Sequence, residues 1–364
     1  MRRDVAPPVT DTSTGKRILF LSHSNRYGAF RVGSHHLSAE LARQGHDVYH
    51  VSTPVSAAHI ATNRVHPSSR AASRRGWVEQ GDGLHDLVPA TWIPAGMPGG
   101  NAMARTLALL PRGRFDVIFL DQPLMWSPRL SALTDRLVYR PTDVYSSGRK
   151  KTLQAEAVRA ARGIVATSDE VLRRLDAPES TPATVISNGV DVRHFCAPSP
   201  DRSDIAIYVG ALDGRFDSEA IVTLADAFPN WIFDVYGPGR VALDRHPQNL
   251  FIRGSLDYTR LPSVLAAARI GLLPLSADDT NAGRSPMKLY EYLASGLSVL
   301  SSSTPTIRQN DEARLLTYSS QDEMIRKFET LTGCVSPNVA GRDIAATRGW
   351  EAKAQSLLRF AEEL

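Results

Sequence analysis

The run Gly283-Arg-Ser-Pro-Met-Lys-Leu-Tyr-Glu-Tyr-Leu-Ala-Ser-Gly296 sets two ionisable side chains, Lys288 and Glu291, three residues apart on a segment with helix signals at both ends. Ser285 suits the N-cap, Pro286 the first helical position and Gly296 the stop. Leu289, Tyr292 and Leu293 share an apolar face while Lys288 and Glu291 point elsewhere, so the helix has one face to bury and one for chemistry. The first turn of a helix is electropositive and favours carboxylates, yet this one carries Arg284 just before the cap and Lys288 inside. A bound anion resolves that conflict, and free amides with a lysine are what a diphosphate needs. The alternative is that both cations point into water.

A second candidate is Asp143, in Arg140-Pro-Thr-Asp-Val-Tyr145, directly after a predicted strand over 136–139. Ligands of open parallel sheets lie beyond the carboxyl ends of the strands, which puts this carboxylate at a cleft edge. An Asp after Pro-Thr is equally a turn residue, or a cap for a helix beginning near Ser147. The stretch from Asn25 to His36 follows the first predicted strand and takes the same kind of position. In it, Gly28 and Gly33 either let a substrate approach the backbone or merely form turns. His35 and His36 are adjacent, so on a helix they face different directions and are weak ligand candidates.

These residues need a frame. With 364 residues, 42% of them hydrophobic, the chain can bury two ordinary cores. The formal charge of +4 is too small to argue for nucleic acid and compatible with mild attraction to an anionic membrane or to phosphorylated substrates. Cys196 and Cys334 have no partners at ligand spacing, so neither a disulfide framework nor a zinc site is indicated, and a reducing cytoplasmic setting is the simplest reading. Arg2 and Arg3 are followed by Asp4, Pro7 and Pro8 where a signal peptide would place its apolar core. No stretch approaches a membrane-spanning length, so any membrane contact is expected to be peripheral.

Residues 1–15 read as a disordered lead-in. Strands at 17–22 and 47–52, with a helix from about Gly33 to Gln44 stopped by Gly45, make a βαβ opening. No G-x-G-x-x-G follows the first strand and no G-x-x-x-x-G-K-[ST] occurs, against a dinucleotide dehydrogenase or a P-loop enzyme. Over 53–114 the punctuation weakens. Arg64, His66, Arg70, Arg74, Arg75 and Trp77 precede Leu87-Val-Pro-Ala-Thr-Trp-Ile-Pro94, a Gly/Pro turn and the apolar stretch from Met103 to Leu110. This reads as a solvated basic helix beside a hairpin and a helix, or as an interfacial face with Trp92 entering a lipid boundary.

Strands resume at 116–120, 136–139, 163–166 and 183–186, with a capped helix start at Ser168-Asp-Glu170. Asn188-Gly-Val-Asp191 makes a tight turn and 197–201 is the best linker candidate. The second half restarts with a strand at 205–209 and a helix to about Phe228, then strands at 231–236 and 250–253. A helix at 258–267 and strands at 269–273 and 297–301 complete a parallel core, and 350–362 is an amphipathic helix.

The run 283–296, with Thr280-Asn281 before it and Leu297-Ser-Val-Leu-Ser301 after it, resembles the donor-site signature of GT-B glycosyltransferases. The resemblance implies an α/β fold of two facing Rossmann-like domains (GT-B), 16–198 for the acceptor and 199–347 for the nucleotide sugar. A C-terminal helix, 348–364, crosses back to the first domain, and Asn188-Gly-Val-Asp191 resembles the crossing between them. In that family the helix start holds the diphosphate, a glutamate at the position of Glu291 bonds the ribose, and retaining members carry a second glutamate where this chain has Gly283.

The pattern is also similar to the inverting β-glucuronosyltransferase of xanthan assembly. There an aspartate of the first domain is the base and a Met-Lys pair touches the donor, which Asp143 and Met287-Lys288 match. The resemblance thus implies Asp143 as general base. Gly210 and Leu212 follow the first strand of the second half, where the backbone can approach a donor closely, and with Arg253, Ser285, Met287, Lys288 and Glu291 they make the expected donor set; Asn25 and Gly33, past the first strand, are the expected acceptor-side residues. Arg253 closes a strand, where it reaches the base or a sugar carboxylate or only caps the strand edge, and Arg215 adds a further cation. No D-x-D occurs, so no metal is expected and the UDP-sugar is the substrate, glucuronic acid being the first choice of sugar. The expected acceptor is a polyprenyl-diphosphate-linked oligosaccharide of exopolysaccharide synthesis, met at the inner face of the membrane by a cytoplasmic, peripherally associated enzyme.

Overall fold

A computed structural model gives the fold and describes residues 15–28, 30–62, 65–97, 102–196, 202–283 and 285–364. The lead-in up to residue 14, Arg64, Gly99 and Gly100 of the Gly/Pro turn, the linker at 197–201 and Arg284 lie outside these residues. The chain divides into two compact units, Met1–Ser187 with Trp350–Leu364, and Asn188–Gly349.

The first unit runs β1 (Arg17–Ser22), α1 (Gly33–Arg43), β2 (Asp47–Ser52), β3 (Val55–Ser56), α2 (Ala57–Ala61), α3 (Pro67–Ala72), β4 (Val78–Glu79), β5 (Leu84–Leu87), β6 (Ala90–Thr91) and α4 (Ala102–Leu109). It continues with β7 (Val117–Leu120), β8 (Leu137–Tyr139), α5 (Gly148–Ala160), β9 (Gly163–Ala166), α6 (Asp169–Arg174) and β10 (Ala183–Val185). The main sheet has the order β10-β9-β8-β7-β1-β2-β5-β4, parallel except for β4. Its inner strands β1, β7, β8 and β9 are buried on both faces, which is why they read in sequence as continuous apolar runs, whereas the edge strands β4 and β10 are partly exposed. Gly45, at φ +91°, stops α1, and Ser168 Oγ accepts the Val171 N–H to start α6.

The second unit holds α7 (Val192–Phe195), β11 (Ile205–Val209), α8 (Ser218–Ala227), β12 (Ile232–Tyr236), β13 (Leu250–Gly254), α9 (Leu261–Ala267), β14 (Ile270–Leu273) and α10 (Asp279–Ala282). After these come α11 (Met287–Ala294), β15 (Ser298–Ser302), β16 (Leu315–Tyr318), α12 (Gln321–Thr332) and α13 (Val339–Ala346). Its parallel sheet has the order β13-β12-β11-β14-β15-β16. The last helix, α14 (Trp350–Glu362), belongs to the first unit, where it packs on α1 and stacks Trp350 on His36 at 5.0 Å.

Three features depart from the sequence reading. The weakly punctuated stretch contains β5, a full parallel neighbour of β2, with β4 folded against it through Asp82 at φ +52°. The helix expected over 258–267 opens as a 3₁₀ turn, Tyr258–Arg260, before α9 starts with Pro262 in its first turn. In the second sheet, β16 forms the edge beyond β15, an addition to the strands read from the sequence.

Candidate active site

In the second unit the strand order reverses between β11 and β14, so a ligand belongs beyond the carboxyl ends of these strands. The ends of β11, β12 and β13 are nested. Gly210 N–H donates to the Tyr236 carbonyl at 2.9 Å, Leu212 N–H to Pro238 at 2.9 Å and Gly237 N–H to Gly254 at 2.8 Å. A Cβ on Gly237 would fall 1.6 Å from the Gly210 oxygen, and one on Gly210 would fall 2.3 Å from Tyr208 Oη. Bare backbone is required here by the protein's own packing. The Leu212 side chain is buried in the core, leaving only its backbone for a ligand.

Tyr292 locks α11 over this edge. Its ring fills the space that the absent Gly271 side chain leaves, and its hydroxyl accepts the Val209 N–H at 2.8 Å. The start of α11 differs from the sequence reading. Ser285 is not the N-cap, because its hydroxyl accepts the Asn188 N–H at 3.0 Å and its carbonyl accepts from Asn188 Nδ2 at 2.7 Å. Pro286, with ψ 114°, takes the cap position without a side-chain cap bond, and Met287 is the first helical residue.

The expected split of α11 into a buried and a chemical face also needs correction. Glu291 is buried with the apolar residues, 1% exposed, and Lys288 Nζ reaches it at 3.1 Å. Burial of a carboxylate requires a partner, and the lysine one turn earlier supplies it.

Of the other expected donor residues, Arg253 pairs with Asp234 at 2.7 Å and covers the Phe251 ring at 4.4 Å. Arg215 bonds Asp213, with Nε 3.0 Å from Oδ1. Asn281 joins the two loops of this edge, donating from Nδ2 to the Arg215 and Ser276 carbonyls at 3.0 Å each. Its buried Oδ1 has no partner among the described residues.

In the first unit the order reverses between β1 and β7. His23 follows β1, Asp121 follows β7, and Arg140 and Asp143 follow β8, so the strand ends gather these four side chains at one edge of one sheet. Asp121 and Arg140 form a bidentate pair, 2.9 Å and 2.6 Å, with both side chains buried. Asp143 is half-buried and receives a long contact from Thr142 Oγ1, 3.4 Å. The cap position of α5 is taken by Ser147, so Asp143 is not its cap. His23 is exposed, and partial desolvation of its ring lowers its pKa. Asp121 and Asp143 pull the other way, while Arg140 and Lys150 add to the lowering. His23, Asp121 and Arg140 are absent from the sequence-predicted set. The rule that sites lie just past strand ends, applied to β1 and β7 as it is to β8, points to His23 and Asp121.

Between β1 and α1, Asn25 Oδ1 accepts from the Tyr27 N–H at 3.1 Å and from Ser69 Oγ at 2.9 Å, tying the loop to α3. Gly33 begins α1 and is buried. His35 and His36 diverge as the helix requires, His35 toward the Ser24 carbonyl and His36 toward Trp350. Past β6 an apolar tip stands out, with Trp92 82% exposed and Ile93 and Met97 also exposed. Arg149, the second residue of α5, donates to the Met97 carbonyl at 2.9 Å. His66, Arg70, Arg74 and Arg75 are exposed, whereas Trp77 is partly buried and donates to the Leu109 carbonyl.

Among the described residues, no group of three or more His, Cys, Asp or Glu is placed to hold a metal ion, and no helix is long and apolar enough to cross a membrane.

Residues 217–349 match the profile of a family described as "Glycosyl transferase-like". The chain is 25% identical over 274 residues to TuaH of Bacillus subtilis (strain 168), described as "Putative teichuronic acid biosynthesis glycosyltransferase", a match covering 64% of this chain and 69% of TuaH. Among solved structures, sucrose-phosphate synthase from Thermosynechococcus elongatus aligns with TM-score 0.71 at 14% identity, over 96% of this chain and 99% of that one. Anabaena HepE in complex with UDP and glucose aligns with TM-score 0.65 at 13% identity, over 96% and 100%. The fold is therefore GT-B, as expected from the 283–296 signature.

Proposed function

We propose that this chain is a glycosyltransferase that draws on a UDP-sugar, its second unit holding the nucleotide diphosphate at the amino end of α11. The observation that carries the reading is the placement of Lys288 in the first turn of a helix locked by Tyr292 over the β11–β14 reversal. It lies within the stretch matching the glycosyltransferase profile. Amides and an ammonium there stabilise the charge that develops on the departing UDP. TuaH and UDP-bound HepE support the same reading by likeness.

The first unit supplies the acceptor side in this proposal. Asp143 takes the proton of the acceptor hydroxyl as its oxygen attacks the anomeric carbon, the bond to the diphosphate breaks, and UDP leaves from the opposite face. The product has the inverted anomeric configuration, in keeping with Gly283 where retaining members carry a glutamate. Leaving-group stabilisation is metal-independent, in keeping with a chain that has no D-x-D. The donor sugar is glucuronic acid, and the acceptor is a polyprenyl-diphosphate-linked oligosaccharide of exopolysaccharide synthesis.

The tip at Trp92, Ile93 and Met97, bonded to the cationic start of α5 at Arg149, Lys150 and Lys151, suits peripheral contact with an anionic cytoplasmic leaflet. Isothermal titration with UDP in a chelated buffer, followed by NMR of the glycosylated product, tests the core of the proposal. Binding and an inverted anomeric signal are expected. Absence of UDP binding with and without magnesium would remove it.

A further inference from the structure

Charge fastens the loop between β1 and α1 to the sheet. Arg26, in the loop, is 12% exposed and sets its Nε 2.5 Å from Oδ2 of Asp86 on β5, itself 3% exposed. Asp86 Oδ1 stands 3.6 Å from His50 Nδ1 on β2, and His50 Nε2 lies 3.1 Å from Ser34 Oγ in the first turn of α1. Ser34 Oγ in turn lies 2.8 Å from Ser22 Oγ at the end of β1. Arg26 also donates to Ser38 Oγ on α1 at 3.4 Å, and Arg31 donates to the Arg26 carbonyl. The start, middle and end of the loop are thus bound to one buried ionic group.

That group is held by proximity rather than by aligned hydrogen bonds. Arg26 Nε and both Asp86 oxygens are buried and make no hydrogen bond of good geometry among the described residues. Burial accordingly pushes the Asp86 carboxyl up to about 6, with Arg26, Arg31 and His85 only partly offsetting it. Asp86 is faced by Arg26, Tyr27 and Arg31 from the loop, His85 from its own strand and His50 from β2, with His35 of α1 beside His50. Burial holds His35 and His50 well below the usual imidazole range, so they stay neutral while Asp86 changes charge.

We propose that Arg26 and Asp86 are positioning residues that hold the β1–α1 loop in its acceptor-binding form, and that protonation of Asp86 releases it. The acceptor part rests on the reading of the first unit given above. Asp86 stays on β5 when the loop lifts, and losing Arg26 and Arg31, which hold its carboxyl down, raises it further, so protonation favours the released form, in which Arg26 is carried into water instead of lying buried without a counter-charge. Acidification therefore weakens acceptor binding through the first unit and leaves donor binding in the second unit unchanged.

The test measures acceptor KM, kcat and UDP Kd from about pH 5 to about pH 8 for the wild type, Asp86→Asn and Arg26→Lys. Alongside, hydrogen exchange of residues 23–28 and 30–32 is followed without substrate. Expected are a wild-type KM that rises as pH falls through about 6, a flat UDP Kd, and loop protection lost over the same range. Asp86→Asn has a KM without pH dependence, about 10- to 100-fold above that of the wild type near pH 8 and converging with it near pH 5, with loop protection low throughout. Arg26→Lys retains most of the wild-type behaviour.

Wild-type loop protection that does not change through this range sinks the latch, and this readout stands even if Asp86→Asn fails to fold. Unchanged KM and protection in a folded Asp86→Asn variant sinks it as well. Failure of UDP to bind the wild type would instead count against the glycosyltransferase reading, with the exchange data still deciding the latch.

Discussion

Lys288 Nζ sits 3.1 Å from Glu291 Oε2, the lysine 20% exposed and the carboxylate 1%. The buried end of the pair is the acid, so removing the lysine strands a charge, whereas removing the acid does not strand one as deeply. On the proposed function, a diphosphate would draw the ammonium outward and free Glu291 for a neutral hydroxyl donor such as the ribose.

Lys288→Met is expected to weaken UDP binding about 10- to 100-fold, equivalent to about 1.5–3 kcal/mol for hydrogen bonds to a charged group, and to lower the melting temperature. The double variant Lys288→Met with Glu291→Gln recovers the melting temperature and leaves UDP binding weak. Calorimetry and thermal melts on the same samples separate the two roles. If UDP affinity returned together with stability, Lys288 would be serving the fold alone.

Asp143→Asn is expected to lower kcat by roughly 10²- to 10⁴-fold, the range for loss of a general base, with UDP affinity unchanged. The neighbouring Asp121→Asn should behave differently. It leaves Arg140 buried and unpaired, at a cost of about 3–5 kcal/mol, and is read by urea denaturation. Near-normal turnover in Asp143→Asn with intact UDP binding would transfer the base role to another group.

Gly237→Ala puts a methyl group against the Gly210 carbonyl, which cannot yield as a flexible side chain can. The β11 and β12 ends must part, at about 1–3 kcal/mol of stability as for other overpacked sites, and UDP affinity should fall with the displaced Gly210 backbone. Unchanged melting temperature and UDP affinity would show that the nested strand ends are not rigid.

Asp86 also gives stability a pH dependence whose sign is opposite to that of a salt-bridged acid. Its folded pKa, about 6, lies above the ordinary carboxylate value, so the native state binds the extra proton and stability falls as pH rises from about 4 through about 6. His35 and His50, lowered by burial, act oppositely, because the unfolded chain takes their protons as pH falls below the usual imidazole value. Relative to wild type, Asp86→Asn should therefore gain stability on going from acid to neutral pH, by about 3 kcal/mol at 1.36 kcal/mol per pKa unit. Urea melts at the two ends of the range measure this difference; a constant gap between the proteins would mean that Asp86 is ionised throughout.

Much of the architecture is legible without coordinates. The strands at 17–22, 47–52, 163–166 and 205–209 and the helix at 350–362 stand where periodicity and caps put them, because buried parallel strands are unbroken apolar runs and helix ends carry their own signals. β5 is harder to read, since Leu84-His-Asp-Leu87 mixes charge into a buried strand. Its Asp86 and His85 are tolerated only because Arg26 and Asp47, far away in sequence, reach them.

The candidate site divides the same way. Residue types and spacing alone specify that the 283–296 segment is a helix with a cation in its first turn, and that a carboxylate follows the 136–139 strand, because these depend on neighbours along the chain. Tertiary structure alone decides that Ser285 serves Asn188 instead of capping α11, that Glu291 is buried against Lys288, and that Arg140 is committed to Asp121. Each of these is a choice among hydrogen-bond partners. Only the folded chain sets which donor meets which acceptor, because the cost of leaving a buried polar group unpaired is assessed in space and not along the sequence.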